Sequence, residues 1–141
     1  MSQKNTGELL ELLKKSPSLG AYLNGNAEDL SSKELPELLN EALADQPISK
    51  SECIRRSGLD RTYAYQIFSG QKKPARDKVI ALLLAMELSF EDAQHFLRRA
   101  GYPVLYPKNQ RDCAFIYAFL HHLPVLELNY MLDELGEPLC T

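Results

Sequence analysis

A chain of 141 residues with 45% apolar content can build one packed domain, or a small domain with helical additions, and is not disordered throughout. A net charge of −3 argues against indiscriminate polyanion binding. Three cysteines without ligand spacing, no apolar run near about 18 residues and a polar start (MSQKNTGE) argue against a disulfide scaffold, a membrane span and a secretion signal; a cytoplasmic protein with reduced thiols is expected.

Along the chain, Leu9, Leu10, Leu12 and Leu13 predict a short amphipathic helix that Ser16 and Pro17 end. Residues 18–30, with Gly20, Asn24, Gly25 and Asn26, read as loop or a broken turn. Ser31 and Glu34 form a capping box ahead of Leu35, Leu38, Leu39, Ala42 and Leu43, a core stripe. Ser49 and Glu52 form another: the Ser oxygen takes the Glu52 amide, and the Glu side chain returns to the Ser amide. A helix then starts near Lys50 and runs through Cys53, Ile54 and Arg56 to a left-handed turn at Gly58. Asp60 is placed to cap a following helix over Arg61 to about Ser69.

That last helix has two unlike faces. Ala64, Ile67 and Phe68 stand at the i, i+3, i+4 spacing that packs on a core. Arg61, Thr62, Tyr65, Gln66 and Ser69 lie opposite. Arg pairs bidentately with guanine and Gln with adenine, while Thr and Tyr meet phosphates or a thymine methyl. Residues 47–80 hold eight cations against three acids, a net of +5, between flanks (1–46 and 81–141) that each hold four cations against eight acids. A basic middle between acidic flanks predicts one DNA-facing surface.

On these residues the segment resembles the lambda-repressor-like (Xre/Cro) helix-turn-helix regulators. The resemblance rests on Ile48 to Glu52, Ser57-Gly58-Leu59-Asp60-Arg61-Thr62-Tyr63, and Gln66 to Ala75 with its Gly70-Gln71-Lys72-Lys73-Pro74 run, and covers about residues 34 to 90. It implies base contacts from Arg61, Thr62, Tyr65 and Gln66, and phosphate contacts from Lys50, Ser69, Lys72 and Lys73. Phe68 departs from the family pattern, where a charged residue often pairs with the first helix; an apolar contact with Leu43 is expected instead.

After Pro74, Val79, Ile80, Leu82, Leu83, Leu84 and Met86 predict an apolar helix over 76–87, and Ser89 caps another that Gly101 closes. Beyond the Tyr102-Pro103 and Tyr106-Pro107 loop, residues 109–122 and a segment from Pro124 to Gly136 predict two helices apolar on more than one face. The expected fold is therefore all-α. It divides into an N-terminal helix and linker (1–30), a five-helix DNA-binding domain as the resemblance implies (31–101), and a C-terminal hairpin (102–141) that either dimerises or braces the domain.

Other features read plainly. Adjacent helical residues diverge by about 100°, so His121 and His122 are not expected to chelate one metal, and His95 is remote. Cys53 faces the expected core, Cys113 lies near an interface, and Cys140 sits at a frayed end open to incidental oxidation. No phosphate loop, nucleophile elbow or acid/base pair points to an enzyme or a cofactor. Two functions remain. One is a homodimeric, sequence-specific regulator of double-stranded DNA, expected to repress. The other is a protein-interaction module, antitoxin-like or an adaptor, binding a partner through the N-terminal segment or the C-terminal hairpin.

Overall fold

A computed structural model describes residues 5–21 and 33–141, and all the regular structure in them is α-helical. The described residues before Lys33 belong to one compact unit and those from Lys33 onward to a second.

In the first unit, α1 spans Thr6–Lys15. Asn5 caps it: its Oδ1 accepts the Glu8 amide at 2.8 Å and its Nδ2 donates to the Glu8 carboxylate at 2.9 Å. Ser16 ends it, its hydroxyl donating to the Leu12 carbonyl. No residue of α1 is buried, and Leu10 and Leu13 are exposed. Residues 19–21 are helical where a loop or a broken turn was expected, with Ser18 Oγ accepting the Ala21 amide. Asn24, Gly25, Asn26 and Ser31 lie outside the described residues.

The second unit holds seven described helices: α2 Leu35–Ala44, α3 Lys50–Ser57, α4 Arg61–Ser69, α5 Arg76–Ala85, α6 Phe90–Arg99, α7 Gln110–Leu120 and α8 Val125–Glu134. Glu34 is the N-cap of α2 rather than the third residue of a capping box, and Pro36 sits in the first turn, where its missing N–H costs nothing. Leu35, Leu38, Leu39 and Leu43 are buried, as their stripe predicts.

Helix α5 is the hub. Every residue from Val79 to Ala85 is buried, so the helix is covered all round, and α3, α7 and α8 pack against it. Helix α4 packs on α2, and α6 on α7. The hairpin of α7 and α8 thus brings Phe115, Phe119, Leu128 and Leu132 into the core that holds Ile67, Ile80 and Leu83. All seven described helices of the unit contribute to one contiguous core.

Two buried thiols are fixed within it. Cys53 donates to the Leu82 carbonyl, and burial pushes its thiol up to about 11. Cys140 does not fray. It is fully buried, its Sγ donates to the Asp77 carbonyl at 3.0 Å, its amide donates to Asn129 Oδ1 at 2.8 Å, and its carbonyl accepts Lys78 Nζ at 3.0 Å. Burial first, then the Asp77 charge, pushes its thiol up to about 12, so the expected incidental oxidation is corrected. Nothing in a sequence locates the pocket that a distant Asn129 and Asp77 make for it.

Candidate nucleic-acid interface

The turn between α3 and α4 is built from short polar side chains. Ser49 Oγ accepts the Glu52 amide at 3.1 Å, but the Glu52 carboxylate turns outward to Arg55 instead of returning to the Ser49 amide. Half of the capping box therefore forms. An ion pair three residues along the helix competes for the acid, and it holds the Glu52 carboxyl below its usual range. Gly58 ends α3 at φ 76°, and the buried Ser57 hydroxyl donates to the Ile54 carbonyl while accepting the Leu59 amide. Asp60 Oδ2 then accepts the Tyr63 amide at 3.0 Å and starts α4.

Helix α4 buries Ala64, Ile67 and Phe68. Asn40 of α2 fastens its end by donating to the Phe68 carbonyl at 3.2 Å. The opposite side leaves Arg61, Thr62 and Ser69 exposed and Tyr65 and Gln66 half-buried. Gly70, at φ 88°, turns the chain so that the Gln66 carbonyl accepts both the Gln71 and Lys72 amides. Lys72 and Lys73 follow on an exposed stretch that buried Pro74 closes, its carbonyl taking the Tyr102 hydroxyl at 2.6 Å.

Six of the eight residues singled out from sequence line one concavity of about 470 Å³: Lys50, Arg61, Thr62, Tyr65, Gln66 and Ser69. Phe68 and Gln71 complete its lining. Lys72 and Lys73 are not part of it. The Arg61 guanidinium lies 5.8 Å from the Tyr65 ring centre, which limits the swing of a long side chain before it meets any ligand. Lys50 holds its ammonium 5.1 Å from the Phe68 ring centre. Phe68 and Leu43 are both core residues, and the Phe68 ring serves as a platform for Lys50.

The charge of the region is spent more narrowly than composition suggests. Arg55 pairs with Glu52, Arg56 with Glu87 at 3.9 Å, and Arg76 with Asp112, while Lys78 donates to Cys140. Among the described residues of this region Lys50, Arg61, Lys72 and Lys73 have neither an acidic partner nor a side-chain hydrogen bond, and these are four of the positions named from the sequence. Gln71 lines the concavity without having been expected there. Its signal is its place directly after the left-handed Gly70, where the amide must fold back on the helix end.

A larger cavity of about 700 Å³ lies elsewhere, among residues at the C-terminal ends of α3, α5 and α7, with Leu84, Leu88 and Phe119 in its lining. It contains none of the eight named residues. His121 stacks on Tyr117 with ring centres 4.1 Å apart, and His122 adopts a left-handed φ of 52°. No group of three or more metal-ligating side chains gathers among the described residues, and no described helix is long and apolar enough to cross a membrane. No family model, curated protein or solved structure matches the chain.

Proposed function

We propose that this protein is a sequence-specific regulator of the lambda-repressor-like helix-turn-helix type, laying α4 in the major groove of double-stranded DNA. The observation that carries the reading is the single concavity lined by Lys50, Arg61, Thr62, Tyr65, Gln66 and Ser69. Its two unpaired cations, with Lys72 and Lys73 beside it, supply attraction for phosphate, and Arg61 and Gln66 carry the bidentate donors and acceptors that distinguish base pairs. Helices α2 to α6 would then be the five-helix DNA-binding unit, and the protein would act as a homodimer on paired half-sites, repressing by occupancy.

The test is duplex binding measured over a range of salt concentrations. Lys72→Ala and Lys73→Ala should weaken all sequences alike, each lowering the salt slope by about 1. Arg61→Ala should instead weaken a preferred site more than a scrambled one. Binding that ignores salt would defeat the reading.

A further inference from the structure

Helix α7 is apolar on both sides. Its inner face buries Ala114, Phe115, Ala118 and Phe119. Its outer face presents Cys113, Tyr117 and Leu120 to solvent, with Ile116 half-buried beside them. From Cys113 to Leu120 the sequence has no ionisable acid or base other than a thiol and a phenol, in a chain that is 25% charged. The two charges of the helix are turned to its own chain, Asp112 to Arg76 and Arg111 to Asp77 at 2.8 Å. A solvated helix face usually carries charge, so an uncharged outer stripe calls for a partner.

The features of this face fit a second copy of the same chain. A net charge of −3 makes two copies repel, and they approach most easily where neither presents a charge. Helix α8 does not offer this, since Leu126 and Tyr130 on its outer side stand among exposed Glu127, Asp133 and Glu134. On α7, Cys113–Tyr117 and Ile116–Leu120 form two parallel i, i+4 ridges, the rows that interdigitate in the commonest mode of helix packing. The set is also symmetric about the midpoint of Ile116 and Tyr117. A two-fold there sets small Cys113 against large Leu120, and Ile116 against Tyr117, with the helix dipoles opposed. The Cys113 thiol donates to the Pro107 carbonyl at 3.1 Å, which carries the patch on to exposed Pro107 and Tyr106.

We propose that two copies of this chain pair through the outer faces of α7, antiparallel about a two-fold between Ile116 and Tyr117, with Cys113 facing Leu120 of the second copy. The inference deepens the dimeric part of the reading above and is independent of its DNA part. One pair of helix faces buries less than the roughly 1,200 Å² at which stable specific interfaces begin, so the dimer comes apart on dilution.

Disulfide trapping in the 141-residue chain tests the register. Positions 113 and 120 are about 10.5 Å apart along the helix, so like thiols across the two-fold stay beyond the roughly 7 Å that a disulfide spans. Leu120→Cys, oxidised mildly at high protein concentration, should give a reductant-sensitive dimer at least tenfold more abundant than the wild type gives. Removing the partner thiol, in Cys113→Ser with Leu120→Cys, should abolish it. Equal trapping in all three proteins, trapping of the wild type through Cys113, or none in Leu120→Cys would overturn the proposal. Sedimentation provides a second readout: Tyr117→Glu, at an exposed site, should turn a concentration-dependent dimer into a monomer with unchanged helicity. A wild type that stays monomeric up to millimolar concentration would overturn it as well. Duplex binding is scored separately, so loss of DNA recognition and loss of pairing remain distinguishable.

Discussion

Arg76 and Asp112 form an ion pair that joins the start of α5 to the start of α7, with the Asp112 side chain only 5% exposed and that of Arg76 21% exposed. Asp112 Oδ2 also accepts the Tyr106 amide at 2.9 Å, and Arg76 Nη1 donates to the Pro103 carbonyl at 3.1 Å, so one pair organises the whole loop between α6 and α7. Removing one partner of such a pair leaves the charge of the other uncompensated and its polar groups unpaired. Asp112→Ala should therefore cost about 3–5 kcal/mol in urea unfolding. A loss under about 1 kcal/mol would mean that water replaces the carboxylate freely.

The thiols should separate by reactivity. Cys53 and Cys140 are fully buried and Cys113 is exposed. A thiol reagent at pH 8 should titrate one cysteine in the folded protein and three in denaturant. The buried pair also sets an alkaline limit. Their folded values of about 11 and about 12 stand above the ordinary 9, so between these values the unfolded chain loses protons that the folded chain keeps. Their contribution is complete below pH 9 and falls as pH rises toward 11 and 12, by up to about 1.4 kcal/mol per pH unit for each thiol. Cys53→Ala should flatten that decline.

Glu87 and His122 occupy the left-handed position just past α5 and α7, with φ of 62° and 52°. Glycine fills the same role after α3 and α4, at Gly58 and Gly70. His122→Gly should accordingly raise stability by about 1 kcal/mol in thermal or urea unfolding. Gly70→Ala should do the reverse by a similar amount or more, because its Cβ would also meet Pro36 Cγ at 3.2 Å.

Much of this molecule was legible in the chain because its signals are local. Ser49, Asp60 and Ser89 each cap the helix that their sequence announces, and Gly58, Gly101 and Gly136 take the positive φ of helix ends. The 3.6-residue period placed Ala64, Ile67 and Phe68 inward, and so fixed which side of α4 faces out. What stayed hidden depends on residues far apart in sequence. Cys140 is held by Asp77, Lys78 and Asn129, and of the cations counted from composition Arg76 is neutralised by Asp112 while Lys78 is turned to the Cys140 carbonyl. The second half of neither capping box forms among the described residues. Glu52 found Arg55 a turn away, and Glu34 proved to be a cap instead of the residue that closes one.

The α4 face should divide into readers and anchors. Arg61→Ala and Gln66→Ala should each cost about 1–3 kcal/mol on a preferred site and relax one base position. Lys50→Ala should weaken all duplexes and leave the preference intact, as expected of a phosphate contact perched on the Phe68 ring. A change of preference in Lys50→Ala would move it into the group of base readers.

The central claim is most directly tested by selecting bound duplexes from a random or genomic DNA pool, with the wild type beside an Arg61→Ala/Gln66→Ala double variant. A palindromic motif should be enriched by the wild type and lost by the variant, with a half-site spacing set by the dimer. Equal enrichment by both proteins, or none by either, would contradict it.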